Sequence, residues 1–279
     1  DMDKPLRATK EDMLAATGAQ RTLTWLRDWV MPAMGEPTLT RGQPVLCVLQ
    51  FGVSTNLPPA LVRGADRSEA GPGRAALVAA ARQAITSLAD DWRQVVGALR
   101  THAPAVRLAL LEAPAQHFRT TFGLYADGDD AAWARGDTKA GPSKRHPCAT
   151  ISRGVRRSTR NAPEQEAEAE EDEMVANFRN RAMAEGAARA VGVAPTQQLC
   201  VQCHANGSSI RILPIWHLLA QLRARDAHGW HHNNRTEADD DPPPQLMALH
   251  RPVYDCTHSS PDAAFLVFQT IFGEVMAWH

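Results

Sequence analysis

Apolar positions along the chain fall into two kinds of pattern: helical spacing and short unbroken runs. Residues 11–34 carry Leu14, Leu23, Leu26, Trp29 and Val30 at roughly helical spacing, and Pro32 ends that predicted helix. Gly35 to Gln43 reads as a loop. Pro44 to Phe51 is a continuous apolar run rich in β-formers, as expected of a strand buried on both faces of a parallel sheet. Gly52 breaks it, and the polar turn Val53 to Asn56 follows. Residues 57–74 read as a connection containing Pro and Gly. From Ala75 to Arg100, Leu77, Ile85, Leu88, Trp92, Val95, Val96 and Leu99 predict an amphipathic helix, stopped at His102-Ala-Pro104. Val106 to Leu111 is a second buried strand. Strand, helix, strand is a βαβ unit, and open parallel sheets hold ligands beyond the carboxyl ends of their strands.

The second half is less regular. Residues 112–150 read mostly as loop. At 153–173 the charges segregate, with a basic block Arg153 to Arg160 running into the acidic block Glu164 to Glu173. This pattern predicts a solvated, low-complexity insertion, disordered up to the start of the next helix. That helix is expected over Met174 to Val191, on Val175, Phe178, Met183, Ala187 and Val191. Ser209 to Leu213 reads as a third strand, Ile215 to Leu222 as a short helix, 229–249 as a polar Pro-rich loop, and Ala263 to Trp278 as an apolar terminal helix. The expected class is α/β, a parallel sheet flanked by helices.

Composition narrows the function. The chain has 279 residues, 44% hydrophobic and 22% charged, which is enough for a sizeable core. Thirty basic residues against 31 acidic leave a net charge of -1, so binding nucleic acid through bulk positive charge is not expected. The Arg153 to Arg160 cluster has no interleaved aromatics that would reverse this. No run reaches the ~18 apolar residues of a membrane span. The chain opens at Asp1 rather than Met, as a fragment would. Five cysteines, Cys47, Cys148, Cys200, Cys203 and Cys256, are an odd number and too few for a disulfide-dense scaffold.

Two motifs carry candidate chemistry. Cys200-Val-Gln-Cys203-His204 has the CxxCH spacing of c-type haem attachment, with two thioethers and a proximal His from one turn. Such an electron carrier needs a distal ligand, for which Met247 is available, but the βαβ pattern does not suit a small helical cytochrome. The same residues suit a redox pair, half of a zinc site, or thiols with no special function. The second motif is Asp255-Cys-Thr-His258. An Asp three residues before a His can orient the imidazole and stabilise its protonated form, while the His takes a proton from a serine hydroxyl. His228, His231 and His232 with Asp239, Asp240 and Asp241 could also be taken for a metal cluster. In a Pro-rich loop they read as solvated polarity, and no metal site is assigned.

Several blocks, in order, resemble the PC-esterase or trichome-birefringence-like group of the SGNH (GDSL-like) superfamily, which are polysaccharide O-acyltransferases and esterases. Val45-Leu-Cys-Val-Leu-Gln-Phe-Gly52 resembles the strand that ends in that group's glycine block. Leu111-Glu-Ala-Pro-Ala-Gln-His-Phe118 resembles its TSPQHF-like segment, and Phe178-Arg-Asn-Arg181 its WRN stretch. Ile212-Leu-Pro-Ile-Trp216 followed by Arg225-Asp-Ala-His228 resembles its LLNIT and RxDAHP region, and Asp255-Cys-Thr-His258 its DCTH block. The resemblance runs from about residue 20 to 279. The chain departs from the pattern in two places. No Gly-Asp-Ser occurs, and Ser259 and Ser260 stand where an aromatic and a Cys usually follow the His.

The resemblance implies a single SGNH-like domain over 1–279, incomplete because its first strand, bearing the nucleophilic serine, is missing, with the charged insertion at about 153–173. It implies His258 as general base and Asp255 as its orienter. Gly52 would supply a backbone N–H, and Asn56 a side-chain N–H, to an oxyanion hole. Asp226 and His228 would hold sugar hydroxyls or simply anchor a loop. Ser54 is a poor substitute nucleophile, since no helix-capped elbow surrounds it. Cys148 and Cys256 would pair. The expected partners are a glycan acceptor and an acyl donor, with no cofactor, in the Golgi or secretory pathway, and with any membrane anchor upstream of this chain. A relative that binds glycan without turnover is the remaining alternative.

Overall fold

A computed structural model describes residues 46–50, 52, 55–67, 72–102, 107–118, 120–126, 148, 150–155, 163–192, 210–222 and 261–277. The expected helix at 11–34 and the loop at 229–249 lie outside them. Three strands, β1 (Leu46–Leu49), β2 (Arg107–Leu111) and β3 (Ile210–Leu213), form one parallel sheet in the order β1-β2-β3. Leu46 pairs with Arg107 and Leu49 with Leu110, while Leu108 pairs with Ile210 and Leu111 with Leu213. The helices are α1 (Pro59–Arg67), α2 (Pro72–His102), α3 (Pro163–Ala176), α4 (Phe178–Val191), α5 (Trp216–Ala220) and α6 (Pro261–Ala277). The chain is therefore α/β, a small parallel sheet with flanking helices. Four of these helices, α1, α2, α3 and α6, open on a proline, whose fixed φ suits the first turn and whose missing N–H would have had no partner there.

The chain divides into two compact units, and α2 runs from one into the other. The first takes its described residues from Asp1–Ser54, Ile85–Ala113 and Arg179–Leu213, and contains the sheet. Successive residues Leu108, Ala109 and Leu110 of β2 are all buried, so both faces of that strand are covered. The first strand departs from the expectation of burial on both faces: Val48 is 40% exposed and Leu46 and Cys47 are half-buried, while β3 is buried throughout although it carries Arg211. The α2 residues Ile85, Leu88, Trp92, Val95, Val96 and Leu99 are buried, as their helical spacing predicts. Against this part of α2 lies α4. A methyl group at Gly186 would overlap the Ala89 carbonyl and the Trp92 Cβ, so the two helices meet where one lacks a side chain.

The second unit comprises Thr55–Ala84, Pro114–Phe178 and Pro214–His279. Two of its elements correct the sequence reading. The connection at 57–74 contains a helix, α1, with Val62 and Ala65 buried. The acidic block is not a disordered insertion: it is helical from Pro163, and the residue separating α3 from α4 is Asn177. Arginines from elsewhere explain the difference. Arg74 donates from Nε and Nη2 to Asp172 Oδ1, at 3.2 and 3.0 Å, and from Nη1 to Glu171 Oε2 at 3.1 Å. Arg82 Nη2 reaches Glu171 Oε1 at 2.9 Å, and Arg153 Nη1 lies 3.7 Å from both Glu168 Oε1 and Asp172 Oδ2. Burial pulls the Arg74 guanidinium down, but its hydrogen bonds to Asp172 and Glu171 and the charges of Asp172 and Glu168 outweigh this and hold it above its ordinary value. A run of like charges that repels itself in isolation becomes a helix once cations from distant segments lie along it.

The network is graded by burial. The Asp172 side chain is 10% exposed and that of Arg74 17%, whereas Arg82 is 62% exposed. Arg74→Gln is expected to lower the unfolding free energy by roughly 1.5–3 kcal/mol, because it strips charged hydrogen bonds from a carboxylate withdrawn from water. Arg82→Ala is expected to change it by less than about 1 kcal/mol, the range of exposed ion pairs. Urea denaturation of the two variants beside the parent measures the contrast.

Candidate functional site

Inside a parallel sheet the ladder pairs the backbone groups of each strand. Where the chain leaves the sheet at the carboxyl end, each buried N–H and C=O needs another partner. Beyond β2 the backbone groups of two successive residues, half-buried Glu112 and buried Ala113, are all taken. The Glu112 N–H donates to Leu213 O at 3.2 Å, and the Glu112 carbonyl accepts from Gln50 Nε2 at 2.7 Å. The Ala113 N–H donates to Asn180 Oδ1 at 2.6 Å, and Asn180 Nδ2 donates to the Ala113 carbonyl at 3.0 Å. The carboxamide of Asn180 thus pairs with a peptide unit as a neighbouring strand would. Asn180 is buried, on α4, and 67 residues along the chain from Ala113.

Gly52 follows β1 on the same edge, with φ 81°. In that left-handed region a side chain is strained. A Cβ there would also lie 3.3 Å from Leu88 Cδ1. Glycine is thus required at a strand end, where backbone can approach a ligand closely. One residue before Asn180, Arg179 is buried, and burial pushes its guanidinium down to about 9, so it is still cationic at neutral pH. Cys47 on β1 is free and half-buried, and burial raises its thiol above the ordinary value, which disfavours the reactive thiolate.

The edge brings together stretches that the sequence holds far apart: Gln50 and Gly52, Glu112 and Ala113, Asn180, and Leu213. Each belongs to one of the blocks on which the family resemblance rests. Farther along the second block, in the second unit, Gln116 and His117 are buried and Phe118 packs against Cys148. Asn56 is exposed and also belongs to the second unit. Asp255, His258, Asp226, His228, Ser54, Cys256 and the group Cys200, Cys203, His204 lie outside the described residues. Cys148 is buried and disulfide-bonded. Among the described residues no cluster of His, Cys, Asp or Glu is arranged to hold a metal ion, and no helix is long and apolar enough to cross a membrane.

Sequence reasoning did not single out Asn180 or Gln50. Side-chain amides that cap strand ends have no periodic signature, and the WRN-like stretch showed only that Asn180 belongs to a block. No known protein family, curated protein or solved structure matches the chain.

Two outcomes test this edge. Asn180→Asp keeps an acceptor for the Ala113 N–H but turns a carboxylate oxygen toward the Ala113 carbonyl, so the introduced carboxyl is held above its unfolded pKa. Its protonated form is the one that fits. The variant is therefore expected to be most stable below the unfolded carboxyl range, near 4, and to lose that stability as pH rises through the folded pKa. Asn180→Ala should show no such extra dependence and lie roughly 2–4 kcal/mol below the parent near neutral pH, having orphaned a buried N–H and C=O. Gly52→Ala should cost roughly 1–3 kcal/mol through strain at positive φ. Thermal melts across pH 3 to 8 read all three.

Proposed function

We propose that the chain belongs to a carbohydrate O-acyltransferase or esterase of SGNH type, similar to the PC-esterase or trichome-birefringence-like enzymes. The observation that carries the reading is Gly52. It is held at positive φ at the carboxyl end of a strand in a parallel sheet, on an edge whose backbone is locked by Gln50 and Asn180. In the reading, a serine hydroxyl attacks the acyl carbon of a donor while His258 takes its proton and Asp255 orients the imidazole. The oxyanion is stabilised by the Gly52 N–H, and the donor's leaving group departs with the proton from His258. A sugar hydroxyl, deprotonated by His258, then attacks the acyl carbon, and the serine oxygen leaves with the proton returned from His258. Water in its place makes the enzyme an esterase. Asp226 and His228 bind the sugar hydroxyls.

The chain contains no Gly-Asp-Ser, so the reading requires the serine strand from outside these 279 residues. The disulfide at Cys148 supports an oxidising compartment, in keeping with the Golgi or secretory pathway. In the reading its partner is Cys256, which stands between Asp255 and His258 and ties that segment down.

The decisive experiment reads the transcript upstream of the Asp1 codon and expresses the full reading frame. A Gly-Asp-Ser strand is expected upstream, with fluorophosphonate labelling of its serine that is lost in His258→Ala. A frame that begins within these residues, or a full chain that takes no label, overturns the reading. A non-reducing peptide map is expected to join Cys148 to Cys256, and a link to Cys200 or Cys203 would refute that pairing.

A further inference from the structure

Helix α6 turns one face to the protein and another to water. Ala263 is fully buried, and Leu266, Val267, Thr270 and Ile271 are half-buried. On the other face Phe265, Phe268, Phe272 and Met276 are 54–60% exposed. These four stand three, four and four residues apart, which is the spacing of one helical stripe. The rings of Phe268 and Phe272 stack on each other with centroids 6.1 Å apart and planes at 19°. Gln269 is exposed beside them, and large exposed apolar patches mark contact surfaces.

We infer that this phenylalanine stripe is a homodimer seam, in which α6 packs antiparallel against α6 of a second copy of the chain.

Three observations select that occupant. The stripe is uncharged, and the whole helix has only two charged residues, Asp262 and Glu274, with no cation. It therefore offers nothing to an acidic partner or an anionic membrane, and nothing that repels its own copy along the stripe. The helix is also self-complementary in shape. Gly273, exposed and with nothing within 4 Å of where its Cβ would lie, flanks the stripe toward its C-terminal end, and Phe265 begins it. At ~1.5 Å rise per residue, antiparallel pairing about the middle of the stripe brings Gly273 of one copy within a turn of Phe265 of the other, leaving room for a ring. Parallel pairing would instead place glycine level with glycine and each acidic residue level with its own copy. Finally, the size fits a weak, closed pair. Four side chains more than half exposed offer roughly 450 Å² per copy, about 900 Å² in the pair, which is the range of transient rather than obligate interfaces.

Sedimentation velocity of the full 279-residue chain over a hundredfold range of concentration tests this. A reversible monomer–dimer equilibrium at micromolar concentration is expected. Phe268→Glu should raise its dissociation constant at least about tenfold, because it puts a carboxylate in the seam. Gly273→Leu should weaken the dimer similarly while leaving the melting temperature equal or higher, since it fills open space and removes a helix glycine. That second variant keeps a lost seam distinct from a lost fold. A chain that stays monomeric throughout, a dimer that neither variant weakens, or an open-ended aggregate would overturn the inference. So would a monomer that floats with neutral phosphatidylcholine vesicles, since the stripe would then belong to a lipid surface.

Discussion

The pairing of the Asn180 carboxamide with the Ala113 peptide unit is the constraint on which the candidate edge rests. A parallel sheet ends abruptly, and the residue after a strand leaves the ladder carrying a donor and an acceptor that burial separates from water. The sheet supplies one further bond, from Glu112 to Leu213, and side chains supply the rest. Gln50 closes the Glu112 carbonyl from the β1 side, and Asn180 closes both groups of Ala113 from α4. The exits of β1 and β2 are thereby fixed to each other and to a helix. Gly52, in the left-handed region beside Leu88, is held at the end of a strand whose neighbours have little freedom.

A similar exchange of partners shapes the acidic helix. Read alone, Glu164 to Glu173 repels itself, and nothing local favours order. Arg74, Arg82 and Arg153 change the sign of the local field, and only those acids that lose water gain much from it. Asp172 is at the buried end and is held by Arg74 through two hydrogen bonds; Glu171 is more exposed and is held by Arg74 and Arg82 together, and Glu168, more exposed still, lies 3.9 Å from Arg74. The acidic run is therefore held by one neighbouring cation, Arg153, and by Arg74 and Arg82, which lie 98 and 89 residues from Asp172 and Glu171, a distance over which sequence windows carry no information.

The fold was legible where burial imposes a period. The three strands and α2 each appear within a few residues of their predicted positions, because apolar runs and helical spacing mark where strands and helices form, although the run at β1 leaves Val48 exposed and β3 buries Arg211. The helix α1 was hidden by its prolines and glycine, although Pro59 starts a helix rather than breaking one. The split between α3 and α4 was hidden by apolar spacing that continues across it. At the site, Gly52 was legible because a glycine that ends an apolar run marks a backbone turn that residues with a side chain resist. Asn180 and Gln50 were not, since a polar residue that caps a distant peptide looks in sequence like any other polar residue.

The sequence by itself determined the α/β class, the parallel strands and the place of Gly52, since each follows from local stereochemistry and from the periodicity that burial demands. Only the tertiary structure decided that the acidic run is a helix, that Asn180 completes the carboxyl edge, that Cys148 is bonded while Cys47 is free, and that one face of α6 is left to water. Those features depend on which polar and apolar groups meet across long stretches of chain. Such meetings are set by three-dimensional packing, in which every buried donor, acceptor and charge must find a partner, and they leave no periodic trace in the order of the residues.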